Sequence, residues 1–410
     1  MARPGRFRGH VDEHSGDHTL IRGLRGARAG QERRFSSPLL LLVIVLGVIV
    51  AACGGGDTIV ATTESLDSVT TTSTVSVSEG EQSVQELLDS LVGSVVGDRD
   101  GALIVAVVGS DGSTSFATDG SDAEGDEPAL DAAFGIGSLT KMFTSAVVLQ
   151  LVGQGLVELD APASDYVTRL SIPEGVTVRN LLQHTSGIPN FTDDAEAWAR
   201  GFTEPERTWT PADTYSLVEG EDLLFNPGAQ FSYSNTNYAV LGVLIEEVTG
   251  SSYADALAAR ILEPLDLNGT YLAGFQEGVE PFGAYTRVEG SLVPIDFPYT
   301  SIATGAWAAG GMVSTVGDMT TFMESLFDGH IITQESLDAM TEDPYDDYGL
   351  GIFKYPWLGE VYGHGGGIPG YGTLIMHSPD SGVTALWVIT IDEFDIGSTF
   401  DPITERVFGG

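Results

Sequence analysis

The chain has 410 residues, 42% of them apolar and 9% aromatic, one cysteine and a formal net charge of −40. Such a length and apolar fraction supply a large core, enough for one catalytic unit of two lobes. The charge excludes nucleic acid as a partner, since binding it needs cationic contacts to phosphate, and a lone cysteine excludes an internal disulfide.

Residues 1–52 differ from the rest. They carry eight arginines against four acids and end in the apolar run Leu39 to Ala52, the architecture of a signal peptide with a basic extension. The run is short for a membrane span and stops at Val50-Ala-Ala-Cys53, which resembles a bacterial lipobox. That resemblance implies that Cys53 is lipidated, becomes the first residue and holds the protein at the outer face of the bacterial cytoplasmic membrane. An uncleaved membrane anchor is the alternative, and both place the remainder outside the cytoplasm. Arg33-Arg34 runs directly into Phe35, which leaves the export route open. Residues 53–80, rich in Ser, Thr and Gly, read as a disordered tether.

Residues 81–410 are expected to form one folded domain. Beyond position 52 the chain holds 10 basic against 54 acidic residues, a net charge of −44, which implies a solvated acidic surface. Glu81 to Leu91 has the period of an amphipathic helix, and Ala102 to Val108 that of a buried strand. Ser110-Asp-Gly112 is a turn leading to a strand from Ser113 to Thr118. Asp119 to Glu127 is acidic but lacks the spacing of an EF-hand loop, so it reads as solvated, and no metal or other cofactor is expected.

A glycine-rich approach then enters a long apolar helix through Phe134-Gly-Ile-Gly-Ser-Leu-Thr-Lys-Met-Phe143. Ser138 and Lys141 are three apart, one helical turn, close enough to exchange a proton. A serine needs a neighbouring base to become a nucleophile, and a desolvated lysine serves at neutral pH. Serine precedes lysine by three on many helix surfaces, but this chain has only two lysines, Lys141 and Lys354. A lysine kept inside an apolar helix is therefore read as the base and Ser138 as the nucleophile, with first-turn N–H groups favouring an oxyanion.

Val178 to His184 reads as a short helix stopped by Thr185-Ser-Gly-Ile-Pro189, and His184 as a structural hydrogen-bonding residue. Asn226-Pro-Gly228 turns the chain into Phe231-Ser-Tyr-Ser-Asn-Thr-Asn-Tyr238 ahead of a helix ending at Gly250. Tyr233 and Asn235, two apart in extended chain, point to one side and offer a phenol and an amide. Ala308 to Ser314 is a tight small-residue segment expected between lobes, and Asp318 is expected to cap a helix to Phe327. Strand patterns follow at Tyr348 to Phe353, Tyr371 to His377 and Val383 to Ile391. Between the first two, Tyr362-Gly-His-Gly-Gly-Gly-Ile-Pro-Gly370 implies a close approach to backbone.

Ser138-Leu-Thr-Lys141, Tyr233-Ser-Asn235 and His364-Gly-Gly366 together resemble, in order and rough spacing, the penicillin-recognising serine hydrolases. The branch resembled holds class C β-lactamases, D-alanyl-D-alanine carboxypeptidases, D-aminopeptidases and related esterases. The resemblance spans roughly Val84 to Ile391. It implies an α/β (α+β) fold of the β-lactamase/transpeptidase type, an antiparallel sheet flanked by helices plus a mostly helical lobe. The segment Gly397 to Gly410 is shorter than the terminal helix that the family implies.

By the same resemblance, Ser138 is acylated, Lys141 takes its proton, and Tyr233 passes a proton to the leaving group. Asn235, His364 and Gly366 would bind substrate, His364 standing where many relatives have lysine and so giving a weaker, pH-dependent positive field. The backbone N–H groups of Ser138 and Gly367 would form the oxyanion hole. Gly365 replaces a hydroxyl residue that helps bind a substrate carboxylate, which weakens the case for D-Ala-D-Ala and lactam recognition. His364-Gly-Gly-Gly367 is also similar to a lipase oxyanion motif, but a Gly-x-Ser-x-Gly elbow would need Gly at 140, where Thr140 stands.

The expected function is a D-amino-acid peptidase of carboxypeptidase type, acting on cell-wall peptides through an acyl-enzyme. A β-lactamase or small-molecule esterase, and a non-catalytic peptidoglycan- or lactam-binding lipoprotein, are the alternatives. Expected partners are a small peptide, amide or ester, peptidoglycan, and the membrane through the lipid.

Overall fold

The computed structural model describes residues 83–95, 100–194, 201, 203–288, 291–295, 300–342, 345–391 and 403–408. The leader, Cys53, the tether and residues 81 and 82 lie outside the described residues. No described helix is long and apolar enough to cross a membrane.

The central sheet is antiparallel, in the order β2-β1-β11-β10-β9-β8. Its strands are β1 (Gly101–Val108), β2 (Thr114–Ser121), β8 (Phe353–Lys354), β9 (Tyr362–Ile368), β10 (Tyr371–Ser378) and β11 (Val383–Ile389). β1 is apolar at almost every position because both sheet faces are covered, and its side chains alternate between two cores. Leu103, Val105 and Val107 pack with Leu88 and Val92 of helix α1 (Val84–Val95), Trp387 and Ile403. Ile104 and Ala106 join the larger core on the opposite face. Residues 403–408 are helical, so Ile403 brings a short terminal helix onto the sheet, the cover that residue count alone had left open.

A smaller sheet joins β3 (Ala133–Gly135), β7 (Met312–Thr315) and β4 (Tyr271–Leu272) in the order β3-β7-β4. β5 (Ala284–Val288) and β6 (Ser291–Ile295) form a separate hairpin. The helical part is built on α2 (Thr140–Gly153), which is buried on nearly all sides, including Thr140, Lys141, Thr144 and Ser145. Around it stand α3 (Val178–Leu182), α4 (Asn235–Thr249), α5 (Thr300–Gly310) and α6 (Val316–Phe327).

Several boundaries differ from the sequence pattern for local reasons. The α6 cap is Thr315, whose hydroxyl accepts the Asp318 N–H. Asp318 sits in the first turn and accepts from Gly269 N–H and the Thr270 hydroxyl. Tyr348 makes only an isolated bridge and Gly349 to Ile352 is bend and irregular chain, leaving β8 only Phe353 and Lys354. The acidic loop after β2 is closed by Asp122, which accepts from the N–H groups of Glu124 and Asp126. Ala308 to Ser314 divides between the end of α5 and β7.

Candidate active site

Ser138 lies in a 3₁₀ turn, Gly137–Leu139, immediately before α2 rather than within it. Lys141 projects from the first turn of α2 and is fully buried. Its Nζ is 3.0 Å from Ser138 Oγ, 2.8 Å from Asn235 Oδ1 and 2.6 Å from the Ala309 carbonyl oxygen. Burial pushes the Lys141 pKa well below 10.5. A neutral amine has two N–H donors and one lone pair, which match two carbonyl oxygens and one hydroxyl. Asn235 and Ala309 accept the donors, and the lone pair is left for the Ser138 proton.

Tyr233 completes the group. Its ring stands beside the amine, with Lys141 Nζ 4.9 Å from the centroid. Desolvation raises its pKa well above 10, only partly opposed by the neighbouring Ser138 side chain, so the phenol stays protonated. Ser234, extended at φ −142°, is the cap of α4, and Asn235 is that helix's first residue. Tyr233 and Asn235 therefore meet the same lysine from an extended segment and a helix end, rather than from one strand. Asn235 is held by its N–H on Asn190 Oδ1 and its Nδ2 on Thr192 Oγ1.

The third segment is the β9 strand. Ile368 and Tyr371 face each other across the turn Pro369-Gly370. In a two-residue hairpin the flanking pair exchanges both hydrogen bonds, so Gly366 with Thr373 and His364 with Ile375 do the same. The N–H and C=O groups of Gly365 and Gly367 then point to the other edge, which β8 covers only at Tyr362 and Gly363. Gly137, at φ +51°, lets the Ser138 turn reach that edge: a Cβ there would lie 2.7 Å from Gly367 N. Gly366 faces the turn, and a Cβ on it would meet Ile136 O and Thr373 Oγ1, both at 2.2 Å. The Thr373 hydroxyl donates to Ile136 O at 3.0 Å, tying strand and turn together. Ser138, Tyr233 and Asn235 are partly exposed and Gly367 is exposed, so the buried lysine lies beneath an open site.

The expected positive field at position 364 is absent at neutral pH. Burial, reinforced by the Lys141 charge, lowers the His364 pKa to about 3. Both ring nitrogens are taken by protein: Nδ1–H donates to Gly365 O, and Nε2 accepts from the Tyr348 hydroxyl at 3.1 Å. Tyr348 and the Ala309 carbonyl are site groups that the sequence reading missed. A backbone carbonyl leaves no mark on residue type, and Tyr348 sits in a segment read as plain strand. No cluster of potential metal ligands occurs among the described residues.

Residues 84–398 match the profile of the Beta-lactamase family. The chain belongs to that family. Members of its fold are serine hydrolases, and the mixed antiparallel architecture described above is theirs. Among proteins of known sequence it is similar to penicillin-binding protein 4* of Bacillus subtilis, 26% identical over 63% of this chain and 61% of the relative. The chain thus spans about three fifths of the length of that relative. Among solved structures it is similar to a D-stereospecific amidohydrolase from Streptomyces sp., with TM-score 0.70 and 30% identity over 80% of this chain and 99% of the other. A D-amino acid amidase from Ochrobactrum anthropi SV3, complexed with D-phenylalanine, gives TM-score 0.65 and 25% identity over 78% and 96%.

Proposed function

We propose that this protein hydrolyses amides and short peptides of D-amino acids through an acyl-enzyme on Ser138. The observation that carries the reading is the Lys141 amine, desolvated, held by two carbonyl oxygens and open to the Ser138 hydroxyl. Lys141 takes the Ser138 proton as Oγ attacks the substrate carbonyl carbon. The oxyanion is met by the N–H groups of Ser138 and Gly367. Tyr233 gives its proton to the leaving nitrogen and is reprotonated from Lys141. In deacylation the same pair takes a proton from the attacking water, and Ser138 regains its own.

Three observations support a neutral amide over a free carboxylate at the leaving end. His364 is uncharged, and Gly365 offers no hydroxyl. Arg169, Arg179 and Arg207 pair with Glu246, Asp160 and Glu204, and Arg260 reaches Gln150 and Gln154. A carboxylate placed there meets no counter-charge from these groups, so D-amino-acid amides rank above D-Ala-D-Ala carboxypeptidase substrates. The two amidase-like structures agree with that ranking.

The test is intact-mass spectrometry of the domain with a D-amino-acid amide and with a penicillin, alongside Ser138→Ala. Amide turnover lost in the variant supports the reading. A domain that turns over nothing and is acylated by neither reagent refutes it, and favours a binding protein. Rapid penicillin hydrolysis without amide turnover favours a β-lactamase.

We further propose that the protein works outside the cytoplasm, anchored through lipidated Cys53 with cell-wall peptides within reach; the lipobox-like Val50-Ala-Ala-Cys53 supports this. A mature protein that begins after Cys53 and carries no lipid overturns the anchor.

A further inference from the structure

His184 lies outside the Ser138, Lys141 and Tyr233 set, yet both peptide N–H groups flanking Tyr233 end on it. Ser232 N–H donates to the His184 carbonyl oxygen at 2.9 Å. Ser234 N–H donates to His184 Nδ1 at 3.1 Å, and Asn237 Nδ2 approaches the same nitrogen at 3.3 Å. The imidazole lies against the Tyr233 ring, 4.1 Å between centroids and tilted by 34°. For one residue to offer both its carbonyl and its Nδ1 to a single segment, the chain must turn sharply. His184 does so with a left-handed backbone, φ +57°, directly after α3.

The arrangement has a cost. With Nδ1 accepting, the ring proton sits on Nε2, which is fully buried and has no hydrogen-bond partner among the described residues. An apolar side chain would fill that space without a buried unpaired donor, but could not hold Ser234. The imidazole is kept neutral, and Nδ1 able to accept, because burial above all pushes its pKa well below 6.5.

We propose that His184 is a positioning residue for Tyr233, clamping the backbone on both sides of it and backing its ring so that the phenol stays on Ser138 and the departing atom of the substrate. The inference rests on the acyl-enzyme reading above. It makes His184 act through Tyr233 and not on substrate.

Proton delivery by Tyr233 matters when the leaving group is an amine and little when it is a stable anion such as p-nitrophenolate. Purified domain is therefore assayed on an amide and on the p-nitrophenyl ester of one D-amino acid, comparing wild type with His184→Asn and His184→Phe. Asparagine tolerates the left-handed backbone and can accept from Ser234, but has no ring; phenylalanine keeps a ring and loses the acceptor. In each variant, kcat/KM on the amide, which reports acylation, falls about tenfold or more while kcat/KM on the ester changes little. Tyr233→Phe shows the same selectivity, and His184→Asn adds nothing further to it in the double variant.

Equal losses on both substrates, or additive losses in the double variant, overturn the inference and leave His184 structural. Failure of both variants to fold, seen by circular dichroism, overturns it as well. A wild-type domain inactive on both substrates and not acylated at Ser138 overturns the proposed function first, and this inference with it.

Discussion

Lys141 is suited to act as a base because its Nζ contacts are three neutral oxygens, and burial is what shifts its pKa. The protonated form lacks the lone pair, so kcat/KM rises with pH through the lowered Lys141 pKa and then stays flat. No alkaline fall is expected in the ordinary tyrosine range, since burial raises the Tyr233 pKa well above 10. His364 adds no limb near pH 6.5, being neutral down to about 3. A pH profile of amide hydrolysis checks all three points, and an acid limb that moves on His364→Gln would count against them. Lys141→Met should slow Ser138 acylation by about a hundredfold or more, read by the rate of mass gain with an acylating substrate.

At the scale of elements, the site depends on the Ser138 turn meeting the edge of β9. That contact is backbone on backbone, so a single methyl group disturbs it. Gly137→Ala places a Cβ 2.7 Å from Gly367 N and also meets φ +51°. The oxyanion donors then separate, and kcat should fall about a hundredfold, comparable to losing one such donor. Steady-state kinetics on the p-nitrophenyl ester measure this. By contrast, Leu88→Ala empties space under the outer face of the sheet, far from Ser138 in the packing scheme. It should cost about 2–5 kcal/mol in urea unfolding while kcat of the folded fraction is kept.

For the whole molecule, three buried histidines couple stability to acid. His364 is lowered to about 3 and His377 to about 4, both chiefly by burial, and His184 is lowered well below 6.5, also chiefly by burial. Each binds a proton in the unfolded chain before the folded one, so stability is full above pH 6.5 and falls as pH drops toward 3. At about 1.4 kcal/mol per pKa unit, His364 and His377 each amount to a few kcal/mol over that window, and His184 acts in the same direction. Urea unfolding at pH 7 and pH 5 should show the loss, and His377→Gln, away from the Ser138 group, should reduce the slope. A stability unchanged between the two pH values would show that these histidines are not held neutral.

The chemistry-bearing residue types and their order can be read from the chain. Ser138 and Lys141 are three apart on a helix start, lysine is scarce, and Tyr233, Asn235 and His364 follow in family order. A buried β1 strand and an apolar α2 helix were also legible, because apolar runs record which segments lose water; that β1 alternates between two cores came from the packing. The remainder lies in long-range contacts. The charge state of Lys141 and His364 comes chiefly from burial among segments far apart in sequence, as where Lys141 Nζ meets the Ala309 carbonyl. The oxyanion edge exists because Gly137 and Gly366 let two backbones close to contact. The role of His184 depends on a left-handed turn that brings its carbonyl and its ring onto both flanks of Tyr233. Residue types do not encode such distances; the packed chain sets them.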